Sequence, residues 1–367
     1  MQQPRSFIPR ASVLALALAV SPHLSLAQHY AQTNLVSDLP GASVTDTNLV
    51  NPWGLSRSSG SPWWISDNGT GLSTLYDGSG NIQPLVVTIP AADSSSGAKG
   101  TPTGTIFNGG TGFTVAPGKP ALFIFATEDG TISGWNPAVK PTTAVIRVDQ
   151  SNRSIFKGLT SATFNQTLTG PATFLYAADF RRAIVQVYDS KFHRIPQMEH
   201  RFVDPSIPSG FAPFNVQNIG GNIYVAYAMQ DADKHDEVAG PGLGYVDVYS
   251  PAGRLLLRLE HGPWFNAPWG LTLAAGDFGV FTHDILVGQF GSGKILAFDP
   301  VTGHFKGFVR DANNRPITNE GLWGLSFGNG GKAGPANTLY FSAGPNDEHD
   351  GIFGSITAVE NPQGNDQ

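Results

Sequence analysis

The chain has 367 residues, of which 40% are hydrophobic and only 14% charged; 44 are Gly, 27 are Pro and none is Cys. So few charges and so many turn formers exclude coiled coils, helical bundles and charge-rich disorder, and favour many short strands joined by tight turns. A net charge of −6 leaves no electrostatic footprint for nucleic acid, and without Cys there is no disulfide framework, thiolate metal site or Cys nucleophile.

At the N-terminus, Arg5 and Arg10 precede an apolar run from Ala11 to Val20, and Ser25-Leu26-Ala27 follows as a small-residue cleavage site. Basic region, apolar core and cleavage site in this order predict a secretory signal peptide over residues 1–27. Residues 28–367 are then a single exported domain, periplasmic or extracellular, and losing two Arg takes its charge to −8. The apolar run falls short of the roughly 20 residues a membrane span needs. No other stretch reaches that length, so no membrane span is expected.

Trp-Gly-Leu occurs at Trp53, Trp269 and Trp323, with spacings of 216 and 54, and 216 is four times 54. A fixed period of this size signals a repeat architecture. Steps of 54 from Trp53 predict hidden copies near residues 107, 161 and 215. Degenerate candidates stand there: Gly104-Thr-Ile-Phe107, Leu159-Thr-Ser-Ala-Thr-Phe164 and Phe214-Asn-Val-Gln-Asn-Ile219. Each copy continues with an apolar strand, a polar turn and a third strand, mostly ending on an aromatic, as at Tyr76, Trp135, Tyr188, Tyr249 and Phe298. A fourth strand usually follows, as at Leu255-Leu-Leu-Arg-Leu259. Four short antiparallel strands repeated six times predict an all-β, six-bladed β-propeller. The last repeat runs out in the polar segment 361–367, and Thr33–Ser37 precedes the first repeat with no other role. That N-terminal strand is expected to complete the last blade and remove an open edge.

Four segments carry a resemblance. Asn51-Pro-Trp-Gly-Leu, Phe211-Ala-Pro-Phe-Asn-Val-Gln-Asn-Ile-Gly220, Gln230-Asp-Ala-Asp-Lys-His-Asp236 with Val238-Ala-Gly240, and Glu320-Gly-Leu-Trp-Gly-Leu-Ser-Phe-Gly-Asn-Gly330 resemble an uncharacterised family of secreted bacterial six-bladed propellers. The resemblance spans about residues 33–356 and implies the fold and export without an activity. More distantly, the blade pattern is similar to NHL-repeat proteins and to the SMP-30/gluconolactonase-type lactonases. The latter hold a metal at the pore with a Glu and an Asn at the starts of innermost strands, plus an Asp. Glu320 and Asn266 stand at comparable places here, whereas the catalytic Asp of that family has no match.

In such a fold, the loops between blades and the turns after second strands open on the same end of the channel. That mouth collects Asn51, Asp67, Asn68, Glu128, Trp264, Asn266, the repeat-four insertion with Asp231, Lys234, His235, Asp236 and Glu237, and the repeat-six turn with Glu348 and His349. Glu320, Asn266, His235 and His349 are candidate ligands for Ca²⁺ or another divalent metal. His235, Asp236 and Asp231 are candidates for acid–base work, because a carboxylate can orient an imidazole. Asn51, Trp53, Asp67, Asn218, Lys234, Trp264, Asn266 and Trp269 are candidates for ligand contact. Turn chemistry alone also favours Asp and Asn at such places, and the Trp residues have a packing role between blades as the alternative. Two motifs are decoys. Gly324-Leu-Ser326-Phe-Gly328 falls on a strand, not on a strand-to-helix elbow. Gly288-Gln-Phe-Gly-Ser-Gly-Lys294 leads into another strand, not a phosphate-binding helix.

Two functions are consistent with this pattern. One is an exported monomer that binds a small polar molecule or a cell-envelope partner at the channel mouth. The other is a metal-dependent hydrolase or lactonase that uses Glu320, Asn266 and His235.

Overall fold

The computed structural model describes residues 29–93, 97–166 and 170–359; the expected signal segment lies outside them. Six antiparallel sheets follow one another along the chain, and their innermost strands are Pro52–Ser56, Pro102–Phe107, Phe156–Gln166, Phe211–Ile219, Pro268–Leu273 and Leu322–Phe327. The chain is a six-bladed β-propeller. The third blade has three strands, and a single helical turn, Pro196–Glu199, follows where a fourth would stand. No helix among the described residues is long and apolar enough to cross a membrane.

The ring closes as the sequence predicts. Strand His29–Ser37 pairs antiparallel with Ile352–Val359 of blade six, from His29↔Val359 to Ser37↔Ile352, with a bulge between Asn34 and Val36. Tyr30, 2% exposed, anchors it by donating from its hydroxyl to the Phe278 carbonyl (3.0 Å). N-terminal and C-terminal segments are thereby locked into one blade, and the strand Ile352–Val359 is not left as an open edge.

Every innermost strand carries a register shift against its neighbour. One extra residue lies at or beside Trp53, Thr103, Lys157, Phe214, Trp269 and Trp323 in blades one to six. A bulge of this kind re-aims a side chain out of the alternating pattern. Here it brings one residue per blade to the propeller axis. The hidden repeats therefore begin at Thr103, Lys157 and Phe214, with successive spacings of 50, 54, 57, 55 and 54 residues. Their innermost strands lie where the 54-residue step expects them, but the short blade one displaces the motif by four residues, and the 57-residue blade three recovers most of that shift.

A glycine follows the axial residue in five blades. At Gly104 an added Cβ would stand 2.4 Å from the Leu159 backbone nitrogen, and at Gly324 2.6 Å from the Trp53 carbonyl oxygen. Neighbouring innermost strands approach this closely because no side chain intervenes. Blade four has Asn215 instead, and its Nδ2 bridges to the Trp269 carbonyl of blade five (2.8 Å).

The axial aromatics plug the channel. Trp53 stacks on Trp323 (centroids 3.5 Å apart), Trp269 meets both edge-on at 5.9 and 5.8 Å, and Phe214 completes the cluster. Beyond the plug, away from the mouth, a narrow axial cavity of about 40 Å³ remains, lined by Leu55, Thr105, Leu159, Gln217, Leu271 and Ser326. It has room for a water or two and no more. The channel is not a through-pore.

Because the clash at Gly104 is with backbone, it cannot be relieved by a rotamer change. Gly104→Ala is expected to destabilise the protein by about 2 kcal/mol, within the range for overpacked cores. Urea unfolding measures it.

Candidate functional site

Five of the six axial positions hold Trp, Phe or Thr; blade three holds Lys157. Its side chain is 1% exposed. The ammonium Nζ lies 2.6 Å from Glu128 Oε1 and 2.9 Å from Asp236 Oδ1. It also sits over the rings of Trp53 (5.1 Å to centroid) and Phe180 (5.8 Å), where the negative face of an aromatic favours a cation. Burial alone would drive off its proton. The charges of Glu128, Glu237 and Asp236 outweigh that cost and hold its pKa above the usual lysine value.

Each partner is presented by a loop on the mouth side. Glu128 follows the second strand of blade two, Phe123–Thr127, and its Oε2 accepts from Asn68 Nδ2 at 2.7 Å. Asn68 stands in the matching turn of blade one. Asn51, in the loop entering blade one, donates from Nδ2 to Glu348 Oε2 (2.6 Å) and accepts from Trp323 Nε1 on Oδ1 (2.9 Å). Its backbone is left-handed (φ 46°). So are Asn346, Asp347 and Glu348 in succession (φ 57°, 50° and 66°). Asn and Asp accept this conformation more readily than Glu, and non-glycine residues held there cost about 1–3 kcal/mol each and cluster at functional sites. The strained turn delivers Glu348 to the mouth.

Blade four supplies a hairpin. Gln230 pairs with Glu237, Asp231 N donates to the Asp236 carbonyl (2.8 Å), and Asp231 Oδ1 accepts from His235 N (2.8 Å). Its tip puts Asp236 on Lys157, with His235 Nδ1 2.9 Å from the same Asp236 oxygen. Burial tends to raise the Asp236 pKa, but the Lys157 charge and the hydrogen bonds from Lys157 and His235 hold it below the usual value. Glu237 behaves oppositely. Burial pushes its carboxyl up to about 8, against the pull of Lys157 and with the help of Glu348 and Asp236. Burial likewise raises Glu348 despite its hydrogen bond from Asn51.

The sequence candidates separate on this geometry. Asn51 and Asp236 stand in the network around Lys157, with His235 beside Asp236. Trp53 and Trp269 form its floor, and Trp269 Nε1 donates to the Lys157 carbonyl (3.0 Å). Asp231 staples the hairpin, and Lys234 is exposed at its tip. Asn266 receives the Gly240 N–H on Oδ1 (2.7 Å) and ties the insertion to blade five. Trp264 stacks on Phe305 of the outer strand of blade five (4.3 Å). Asp67 is fully buried inside blade one and accepts from Thr74 N (2.9 Å). Asn218, near the end of its strand away from the mouth, donates to the Ser161 carbonyl (2.8 Å) and joins blades three and four. Glu320 is exposed and accepts from Asn346 N (3.1 Å), while His349 Nδ1 is 3.0 Å from the Asn346 carbonyl oxygen.

For a metal, the group of three with ligand atoms mutually within 4.8 Å among the described residues is Glu128, His235 and Asp236. Of the four expected ligands only His235 belongs to it. The donor set does not fit a divalent ion as it stands, because the Lys157 ammonium already takes up Glu128 and Asp236. Sequence reasoning placed Glu128, Glu237 and Glu348 at the mouth but missed Lys157. The signal was Lys157-Gly158-Leu159, which keeps the Gly-Leu of the repeat and changes only its first residue.

No known protein-family profile matches the chain. It is 30% identical over 327 residues to "Uncharacterized protein R648" of Acanthamoeba polyphaga mimivirus, covering 86% of this chain and 76% of that protein. "Uncharacterized protein L690" of the same virus is 32% identical over 329 residues, with 86% and 82% covered. The chain belongs to the family of these proteins. Among solved structures, it is similar to a streptogramin B lyase (TM-score 0.50, 11% identity, 90% of this chain and 98% of that one). It is similar to the virginiamycin B lyase of Staphylococcus aureus as well (TM-score 0.50, 12% identity, 90% and 100%). At such identity the likeness is one of fold.

Two outcomes test the electrostatics of the site. Lys157→Met leaves Glu128 buried without its counter-charge and is expected to destabilise the fold by about 3 kcal/mol in urea unfolding. Glu237 binds its proton more tightly folded than unfolded, so its contribution to stability is complete below the unfolded pKa and is lost as pH rises toward about 8. Glu237→Gln should therefore flatten the fall in melting temperature between pH 5 and 8. An unchanged slope would show that Glu237 is ordinary.

Proposed function

We propose that the chain is an exported propeller that binds a small polar ligand at its channel mouth. The observation that carries this reading is convergence. Asn51 and Asn68 of blade one, Glu128 of blade two, Lys157 of blade three, Asp236 of blade four and Glu348 of blade six form one connected network over an aromatic floor. A few converging polar groups with perturbed pKa values against apolar walls are the usual composition of a small-molecule site. Packing six blades does not require such a network. The N-terminal segment with Arg5, Arg10, the apolar run and Ser25-Leu26-Ala27 supports export.

A metal-dependent hydrolase is the second reading, favoured by the closeness of Glu128, His235 and Asp236. It requires Lys157 to leave its two carboxylates, a movement the binding reading does not need. Glu320 accepts from Asn346 N and Asn266 from Gly240 N, partners that do not support a lactonase-like metal set.

Ligand-observed NMR against sugars, sugar acids, amino acids and polyamines tests the proposal. A ligand of the mouth should bind at least tenfold more weakly to Glu348→Gln and to Asn51→Ala. Binding that both substitutions leave untouched would place the site elsewhere. Metal content and melting with EDTA separate the two readings. No shift is expected, whereas one tightly held ion per chain, with a lower melting temperature on its removal, would favour the hydrolase.

A further inference from the structure

The two carboxylates on Lys157 are unlike each other. Glu128 is built in: its side chain is 12% exposed, one oxygen is on Lys157 and the other on Asn68. Asp236 is 61% exposed and comes from the hairpin of blade four, and among the described residues its other side-chain partner is His235, itself 45% exposed. Neutralising the ammonium takes one carboxylate, and Glu128 supplies it. The second reaches Lys157 from the solvent side on a projecting loop. Around that point stand groups suited to a small oxygen-rich molecule: Asn51, Asn68 and Glu348, over a floor in which Trp53 Nε1, on a side chain 2% exposed, is a buried donor without a partner among the described residues.

Resting on the reading of the mouth as a small-ligand site, we propose that Asp236 is a tethered stand-in for the ligand: the ligand carries a carboxylate, and that carboxylate takes the place of Asp236 on Lys157. The exchange replaces one carboxylate by another, so the charge next to Glu128 and Glu348 does not change when the ligand enters. A cationic ligand would gain from the acidic neighbours but would find its position already filled by the lysine ammonium. The hairpin is thus an intramolecular competitor. Because it is covalently attached, its local concentration at Lys157 is high, on the millimolar scale typical of short tethers, and it sets a threshold that free carboxylates must exceed.

This makes a prediction opposite to that for a catalytic or metal-binding Asp236. Removing the side chain should strengthen binding. Acetate, methylammonium, calcium and the neutral polyol xylitol serve as probes on the full chain, followed by calorimetry and by the ¹⁵N signal of the Lys157 ammonium. Asp236→Ala is expected to bind acetate at least tenfold more tightly than the unsubstituted protein, with the Lys157 signal moving on saturation, and to gain nothing for methylammonium or calcium. Asp236→Glu should keep acetate weak. The proposal is overturned if acetate binds Asp236→Ala no better, if the gain goes to methylammonium or calcium, or if Asp236→Ala loses its cooperative melting transition, which would make the ion pair structural. Xylitol binding at the mouth with no gain for acetate sinks this inference and leaves the small-ligand reading standing. Binding of none of the probes to either protein counts against both.

Discussion

The ion pairs of Lys157 are the constraint on which the mouth of this propeller depends. A lysine on the axis of a closed ring of blades holds its ammonium away from bulk water, its side chain being 1% exposed, so the charge must be met by neighbouring groups. Glu128 and Asp236 meet it from blades two and four, across the axis from the stacked Trp53 and Trp323. Isolated burial of an ammonium costs several kcal/mol even after relaxation. At least one carboxylate therefore has to be held on the lysine for it to be tolerated. Asn68 fixes Glu128 and Asp231 shapes the hairpin that carries Asp236. Through Asn51, Asn68 and Trp323 the same chain of contacts continues to Glu348.

The fold makes this arrangement accessible to a one-residue change. A bulge at the same point of every innermost strand turns one side chain per blade toward the axis, and three of the six are Trp. The aromatics Trp53, Phe214, Trp269 and Trp323 close the channel without any chemistry. Replacing one of the ring by Lys keeps the plug, since Trp53 and Phe180 accept the ammonium on their faces, and introduces a charge that recruits acidic loops. Specificity for polar partners then resides in loops of the mouth, while closure resides in the strand His29–Ser37.

The architecture was legible in the sequence because it is periodic. Trp-Gly-Leu, the strands that follow it and the aromatic ends of third strands are imposed by packing between identical neighbours, and a spacing of 54 survives variation in the loops. The site was only half legible. Glu128, Glu237 and Glu348 could be placed at the mouth from topology, but Asp67 and Asn218 could not be told from them, because which face of a blade a residue serves depends on bulge position. Lys157 was hidden by the opposite problem. It stands at a packing position, where an apolar residue is expected, and its importance comes from partners that are 29 and 79 residues away in sequence. Glu320, Asn266 and His349 have the residue types of metal ligands, and they spend their polar atoms on loop backbone at Asn346 and Gly240.

The charge state of Lys157 tests this account most directly. Titration of its side chain by ¹³C and ¹⁵N NMR should show an ammonium that persists above the ordinary lysine pKa of about 10.4, because the acidic partners outweigh burial. A lysine that loses its proton near neutral pH would contradict the account: it would mean that burial outweighs the ion pairs, that Glu128 and Asp236 are not bound to a cation, and that the mouth is organised by something else.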